Sequence, residues 1–233
     1  GVLRILIKAA EREGGRAAFG EALKAVVVGG APCPLSILEA AAALDIPVLQ
    51  GYGMSEASPV IAVNTFEANR PGTVGRPVPG LEVRIDGEGE GEILVQGPNV
   101  MQGYYRDPER TAEVLKDGWL RTGDIGTMDV EGFLTIRGRS KNVIISDNGK
   151  NVYPEEIEAE LAKSGLLKES CVIGRATEGT ERIVAVVVPA KPMSAGELKA
   201  EVDACCAALA DFKRVQEVVA WEGELPKTAS GKV

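Results

Sequence analysis

The sequence predicts an α/β and α+β protein: the end of a parallel α/β subdomain, a distorted antiparallel β-barrel-like subdomain, then a small α+β C-terminal domain. Three observations predict it. Residues 23–50 run strand, helix, strand; residues 72–138 alternate apolar and polar positions between Gly, Asp and Pro turns; and helix-start signals return after Arg139. With 233 residues, 45% of them hydrophobic and 26% charged, the chain can bury a core and lacks the composition of disorder.

The elements follow in order. Residues 23–28 read as a strand, 35–44 as an Ala-rich helix and 46–50 as a second strand, an order that suggests parallel pairing. Val26–Val28 and 184–188 read as buried strands, because no apolar run reaches the roughly 18 residues that span a bilayer. The loop after the second strand is 51–58. The 28 glycines concentrate between Gly51 and Gly149, where 81–85, 92–96 and 133–137 alternate with period 2 as strands of an antiparallel sheet or small barrel. Within it, Asp107 before Pro108 marks a helix start and Gly118 after Lys116 a stop, which predicts a short helix over 109–116.

After Arg139 the texture changes. Residues 154–163 read as a helix with acids in its first turn and Ile157 and Leu161 on one face, followed by strands at 171–174 and 183–188. Ser194 and Glu197 form a capping box ahead of a helix carrying Leu198, Val202, Cys205 and Leu209. The boundary is placed at Ser140–Lys141. It gives a domain over 1–140, with an α/β segment over about 1–70 and a β-rich one over about 71–140, and a small domain over 141–233.

Charge and composition exclude several functions. The 26 Lys and Arg against 34 Asp and Glu give −8, which argues against a surface that grips nucleic acid as a whole. Histidine is absent and Cys33, Cys171, Cys205 and Cys206 show no CxxC spacing, so a zinc site or a Ser/His/Asp triad is not expected. The cysteines read as reduced, cytosolic packing residues. Gly1 is not an initiator Met and no secretion signal follows it, so the chain is expected to be a fragment.

Five segments can carry chemistry. Gly29-Gly30-Ala31-Pro32 ends a strand with small residues that let backbone approach a flat ligand; a tight turn is the alternative. Gln50-Gly51-Tyr52-Gly53-Met54-Ser55-Glu56 offers exposed backbone, an aromatic face, a hydroxyl and a hard oxygen suited to magnesium, or else is a strand-to-loop turn with an exposed acid. Trp119 to Asp124 places a carboxylate in a glycine turn, where it can accept two hydrogen bonds from a ribose diol or close an Asx-turn. Gly138-Arg139-Ser140-Lys141 reads as a charged hinge or a solvated basic run. Pro226 to Lys232 reads as a loop presenting lysines to a phosphate, or as a tail. Gly149-Lys150 lacks the upstream glycine and the Ser/Thr of a Walker A loop, and Glu88 and Glu90 would repel phosphate from the 87–91 glycine run.

Taken in order from Gly29 to Lys232, these segments resemble the adenylate-forming superfamily of acyl-CoA synthetases, luciferases and peptide-synthetase adenylation domains. The stretches QGYGMSEASPVIAVN, RPGTVGRPVPG, GPNVMQGYY, DGWLRTGDIG and GKNVYPEEIE look most like bacterial long-chain fatty-acid–CoA ligases. The resemblance implies that Gly30, Ala31 and Pro32 line an adenine pocket, that Tyr52 stacks on the base, and that Gly51 and Gly53 allow backbone contact. It implies that Ser55 touches the α-phosphate, Glu56 holds Mg²⁺, Asp124 binds the ribose hydroxyls with help from Arg139, and Lys232 stabilises charge as carboxylate attacks the α-phosphorus. The small domain is then mobile, turning about Lys141 and bringing the loop at Gly149 and Lys150 to the pantetheine tunnel. Residues 57–63 would contribute to the acyl pocket wall.

The resemblance further implies ATP and AMP, Mg²⁺ and CoA as ligands, fatty acid as substrate, and a cytoplasmic location with peripheral association at the inner membrane face. Two departures accompany it. The family's Ser/Thr/Gly-rich phosphate loop lies upstream of anything present, so the isolated chain is expected to be inactive or nearly so. Ser55 stands where Thr is more usual and keeps the hydroxyl. An acyl-AMP ligase, an acyl-carrier-protein synthetase, and a non-catalytic nucleotide-binding module are the alternatives.

Overall fold

The computed structural model describes residues 2–20, 22–31, 33–177 and 180–227. The chain forms two compact units, Gly1–Ile136 and Arg137–Val233, each with its own core.

The first unit opens on α1 (Val2–Glu13), an element the sequence reading did not assign. It turns Leu3, Ile7 and Ala10 inward from one helical face. β1 (Val26–Val28), α2 (Leu35–Ala43), β2 (Val48–Gly53), β3 (Val60–Val63) and β4 (Arg76–Pro77) follow. Their sheet has the order β1-β2-β3-β4, with β1 and β2 parallel in register Val26 to Val48 and the other pairs antiparallel. α1 and α2 pack Leu3, Ile7, Leu38 and Ala41 against Ile46 and Val48.

Two segments of this sheet differ from what their sequence suggests. Val26–Val28 is not a buried strand: Val26 and Val28 turn toward the helices, while Val27 between them is 70% exposed on the other face. Nor does a loop start at Gly51, since β2 continues to Gly53. A Cβ at Gly53 would lie 1.7 Å from the Pro59 carbonyl oxygen, so the bare glycine lets β3 pair this far.

A second sheet is built from β5 (Glu82–Asp86), β6 (Glu90–Gln96), β7 (Leu115–Lys116), β8 (Trp119–Met128) and β9 (Leu134–Arg139), in the order β5-β6-β8-β7 with β9 also paired to β8. This is the curled antiparallel sheet that the alternation predicts. Ile93, Val95, Leu120 and Leu134 of this sheet share a core with Ile61 and Ala62 of the first and with Ala57 of the turn between β2 and β3. α3 (Pro108–Val114) begins as read, with the Asp107 carboxylate accepting from the Arg110 N–H at 3.0 Å. It stops before 116, because Leu115 and Lys116 pair with Leu120 and Trp119 across a turn whose central residues, Asp117 and Gly118, both have positive φ. The buried Phe133 ring lies between two guanidinium groups, Arg70 at 4.0 Å and Arg76 at 4.5 Å, and Arg70 also pairs with Asp129 and Glu131.

In the second unit, the β10 (Ile144–Ile145) and β11 (Asn151–Val152) hairpin leads into α4 (Pro154–Leu161). β12 (Leu167–Ala176) and β13 (Glu181–Pro189) pair antiparallel, and after α5 (Ala195–Cys205) β14 (Glu217–Ala220) returns parallel to β13. Ile157, Leu161, Val172, Ile183, Val187, Leu198 and Val202 form the core. The capping box is present: Ser194 Oγ accepts from the Glu197 N–H and Glu197 accepts from the Ser194 N–H. α5 closes at Cys205, so Leu209 packs on this core from beyond the helix. Among the described residues no helix is long and apolar enough to cross a membrane.

Candidate active site

The site of the first unit lies where parallel β1 and β2 end, the end of a parallel pair at which ligands bind in open α/β sheets. Gly29, Gly30 and Ala31 leave β1, with Gly30 at φ +74°, and a Cβ at Gly29 would stand 3.1 Å from the Gly51 carbonyl oxygen. Two strips of bare backbone therefore run side by side. Pro32, which the sequence places with them, lies outside the described residues.

β2 then delivers Tyr52 and a tight turn. The Met54 N–H donates to the Pro59 carbonyl at 2.8 Å, and Ser55, Glu56 and Ala57 form a single 3₁₀ turn between them. Asn99 closes the turn from outside: its amide donates to the carbonyls of Ala57 at 2.6 Å and Val60 at 2.9 Å. The Met101 N–H donates to the Glu56 carbonyl at 2.8 Å. Ser55 is exposed beside Glu56, whose Oε1 accepts from the Tyr104 hydroxyl at 2.8 Å.

Asp124 comes from β8. Opposite Ile93 the two strands lose register, Glu92 facing Ile125 and Leu94 facing Arg121, and Gly123 takes φ +71°. This bulge re-aims the side chain that follows it. It is pinned by the Thr122 hydroxyl on the Ile93 carbonyl at 2.8 Å and by the Gly123 N–H on Glu92 Oε1 at 2.9 Å. Asp124 is only 5% exposed, and a carboxylate so buried needs donors. Tyr52 supplies one, its hydroxyl 2.5 Å from Oδ2.

Tyr52, Ser55, Glu56 and Asp124 are thus gathered with Gly51, Gly53, Gly30 and Ala31 in one unit. Among the described residues no three His, Cys, Asp or Glu groups stand together as a metal cage. A single carboxylate such as Glu56 suits a magnesium ion that takes its remaining oxygens from phosphate and water.

Arg139, Lys141, Gly149 and Lys150 belong to the second unit. The Arg139 N–H donates to Glu155 Oε1 at 3.3 Å, and Lys141 is exposed in the 3₁₀ turn Ser140–Asn142. Gly149, at φ +73°, turns the β10–β11 hairpin, where the Ser146 N–H donates to the Lys150 carbonyl at 3.1 Å. The Lys150 ammonium lies 4.7 Å from the centre of the Phe212 ring. Lys232 lies outside the described residues.

Sequence reasoning missed Tyr104, Asn99 and Thr122. Tyr104 sits in the GPNVMQGYY stretch quoted above, yet no spacing relates it to a carboxylate 48 residues earlier. Thr122 carries the one available signal, a small hydroxyl residue directly before a strand glycine.

Residues 1–105 match the AMP-binding enzyme family and residues 156–232 the AMP-binding enzyme C-terminal domain. The 2-succinylbenzoate–CoA ligase of Bacillus cytotoxicus is 37% identical over 242 aligned positions, covering 100% of this chain and 49% of that protein. A long-chain-fatty-acid–CoA ligase of Bacillus subtilis is 42% identical over 197 positions, 80% of this chain and 35% of that protein. The structure of O-succinylbenzoate coenzyme A synthetase from Bacillus subtilis, in complex with ATP and magnesium ion, superposes with a TM-score of 0.85 at 34% identity over 99% of this chain and 48% of that one. The chain spans half or less of the length of these relatives.

Proposed function

We infer, for a chain that belongs to the AMP-binding enzyme family, that the protein it forms is an ATP-dependent acid–CoA ligase whose acid is a long-chain fatty acid. One observation carries the reading: the Tyr52 hydroxyl meets the buried Asp124 carboxylate, and the strand that carries Tyr52, whose Gly51 backbone lies against Gly29, leads directly into the turn that holds Glu56.

In the first half-reaction an oxygen of the fatty carboxylate bonds to the α-phosphorus of ATP as the bond to the bridging oxygen breaks and pyrophosphate leaves. In the second, the CoA thiolate bonds to the acyl carbon and AMP leaves. Positioning and charge neutralisation suffice for the first. Asp124 accepts the two ribose hydroxyls, with Arg139 assisting, and Tyr52 offers its face to the base against Gly30, Ala31 and Pro32. Gly51 and Gly53 present their backbone. Ser55 donates to the α-phosphate, and Glu56 holds magnesium, which when bound neutralises phosphate charge. Lys232 adds positive charge at the attacked phosphorus. For the second half, Lys141 serves as pivot and the Gly149–Lys150 turn meets the pantetheine arm. This chemistry belongs in the cytoplasm, with peripheral contact at the inner membrane face to collect the acid.

The likeness of the five motif stretches to long-chain ligases and the identity with the Bacillus subtilis long-chain ligase support the acid assigned. A second reading, an aromatic acid of the 2-succinylbenzoate type, is favoured by a relative of that specificity aligning along the whole chain. Calorimetric titration with non-hydrolysable acyl-adenylates separates them. A palmitoyl analogue binding at least about tenfold tighter than a succinylbenzoyl one, a gap of about 1.4 kcal/mol, is the expected result; the reverse order replaces the fatty acid with an aromatic one.

A further inference from the structure

Glu56 is held from one side by a residue to which the sequence reading gave no role. We propose that Tyr104 is a positioning residue for the Glu56 carboxylate: its hydroxyl fixes Oε1, so that Oε2 is presented to the magnesium ion in a single orientation. This rests on the reading of Glu56 as the magnesium ligand.

The geometry behind it is local and complete. The Tyr104 hydroxyl donates to Glu56 Oε1 at 2.8 Å, and Oε2 has no hydrogen-bond partner among the described residues. A carboxylate on a flexible side chain would otherwise sample several rotamers, and ordering it would oppose ion binding. The Glu56 main chain is fixed as well, through its carbonyl and the Met101 N–H. Both restraints on Glu56 therefore come from the same short stretch of chain.

Tyr104 is itself braced. Its N–H donates to Thr111 Oγ1 at 2.9 Å, and that hydroxyl donates to the Asp107 carbonyl at 2.7 Å. Arg110, in the first turn of α3, lies 4.6 Å from the centre of the Tyr104 ring. Arg110 and Thr111 thus act on the ion at one remove, through the ring and the backbone of Tyr104.

Tyr104→Phe tests this, since it removes one oxygen and keeps the ring against Arg110. The readout is calorimetric binding of ATP as a function of magnesium concentration, beside binding of a palmitoyl-adenylate analogue in the presence of a chelator. The magnesium concentration for half-maximal ATP binding is expected to rise about tenfold, the factor one hydrogen bond to a charged group carries. Chelator-insensitive adenylate binding should move less than twofold. Glu56→Gln should abolish the magnesium dependence, and adding Tyr104→Phe to it should change nothing further.

If Glu56→Gln abolishes the dependence while Tyr104→Phe leaves it unmoved, the positioning role is overturned and the Glu56 assignment stands. If Glu56→Gln leaves it intact, or the unaltered protein shows none, the assignment of Glu56 fails and the inference with it. Equal losses in both assays for Tyr104→Phe would show a structural role and overturn the inference too.

Discussion

The Tyr52 hydroxyl and the Asp124 carboxylate meet at 2.5 Å across 72 residues of chain. The bond joins β2 of the first sheet to β8 of the second. It ties the Tyr52 ring to the Asp124 carboxylate, so neither can shift without the other.

Loss of the acceptor is therefore expected to remove more than loss of the tether. Asp124→Ala should abolish saturable binding of an acyl-adenylate analogue. Tyr52→Phe, which keeps the ring, should weaken it about tenfold, as for one hydrogen bond to a charged group. Calorimetric titration of both variants checks the order; equal losses would mean that Asp124 serves only to hold Tyr52.

Gly53 has no room for a side chain, because its Cβ would fall 1.7 Å from the backbone oxygen of Pro59. Backbone cannot swing aside as a side-chain tip does. Gly53→Ala should destabilise the first unit by at least about 2 kcal/mol, seen as a lower denaturant midpoint for the unit that contains Tyr52 fluorescence. An unchanged midpoint would show that β2 and β3 can separate here at little cost.

Phe133 is only 4% exposed and lies between Arg70 and Arg76. Phe133→Ala should cost about 3–5 kcal/mol through lost burial and cavity. Arg70→Met, which keeps an apolar stem over the ring, should move the midpoint far less, since its ion pairs with Asp129 and Glu131 are half exposed. Chemical denaturation distinguishes the two.

Glu169 holds the last described stretch of the second unit. It accepts from Lys227 at 2.7 Å and from the Leu225 N–H at 2.8 Å, and these bonds, that to Lys227 first, lower its pKa. A carboxyl with a depressed folded pKa stabilises above its unfolded value of about 4.3 and loses that contribution as pH falls through the folded value. Exchange protection of the Leu225 amide should thus be level from about pH 5 to 8 and fall below about pH 4. Glu169→Gln should flatten the profile.

Local chemistry was legible in the sequence, and contacts at long range were not. Asp107 and Ser194 announce their helices because a cap needs only a side-chain oxygen and the N–H three residues on. The period-2 runs disclose the curled sheet for the same reason, since alternation is a property of one strand. Val26–Val28 misleads because three valines do not say whether both faces of a strand are covered, and here one face is open. The end of α3 moved because Leu115 and Lys116 pair with residues beyond a turn. Tyr104 on Glu56, Asn99 on Ala57 and Val60, and the arginines around Phe133 are all made by folding, and no residue spacing carries them.

The turn bearing Ser55 and Glu56 is tied at Met54, Glu56, Ala57 and Val60 by partners on Pro59, Met101 and Asn99. A turn so fastened has no slack of its own: Glu56 stands where Met101 and Asn99 hold its backbone, so a change at Asn99 is felt at a carboxylate more than forty residues away in the sequence.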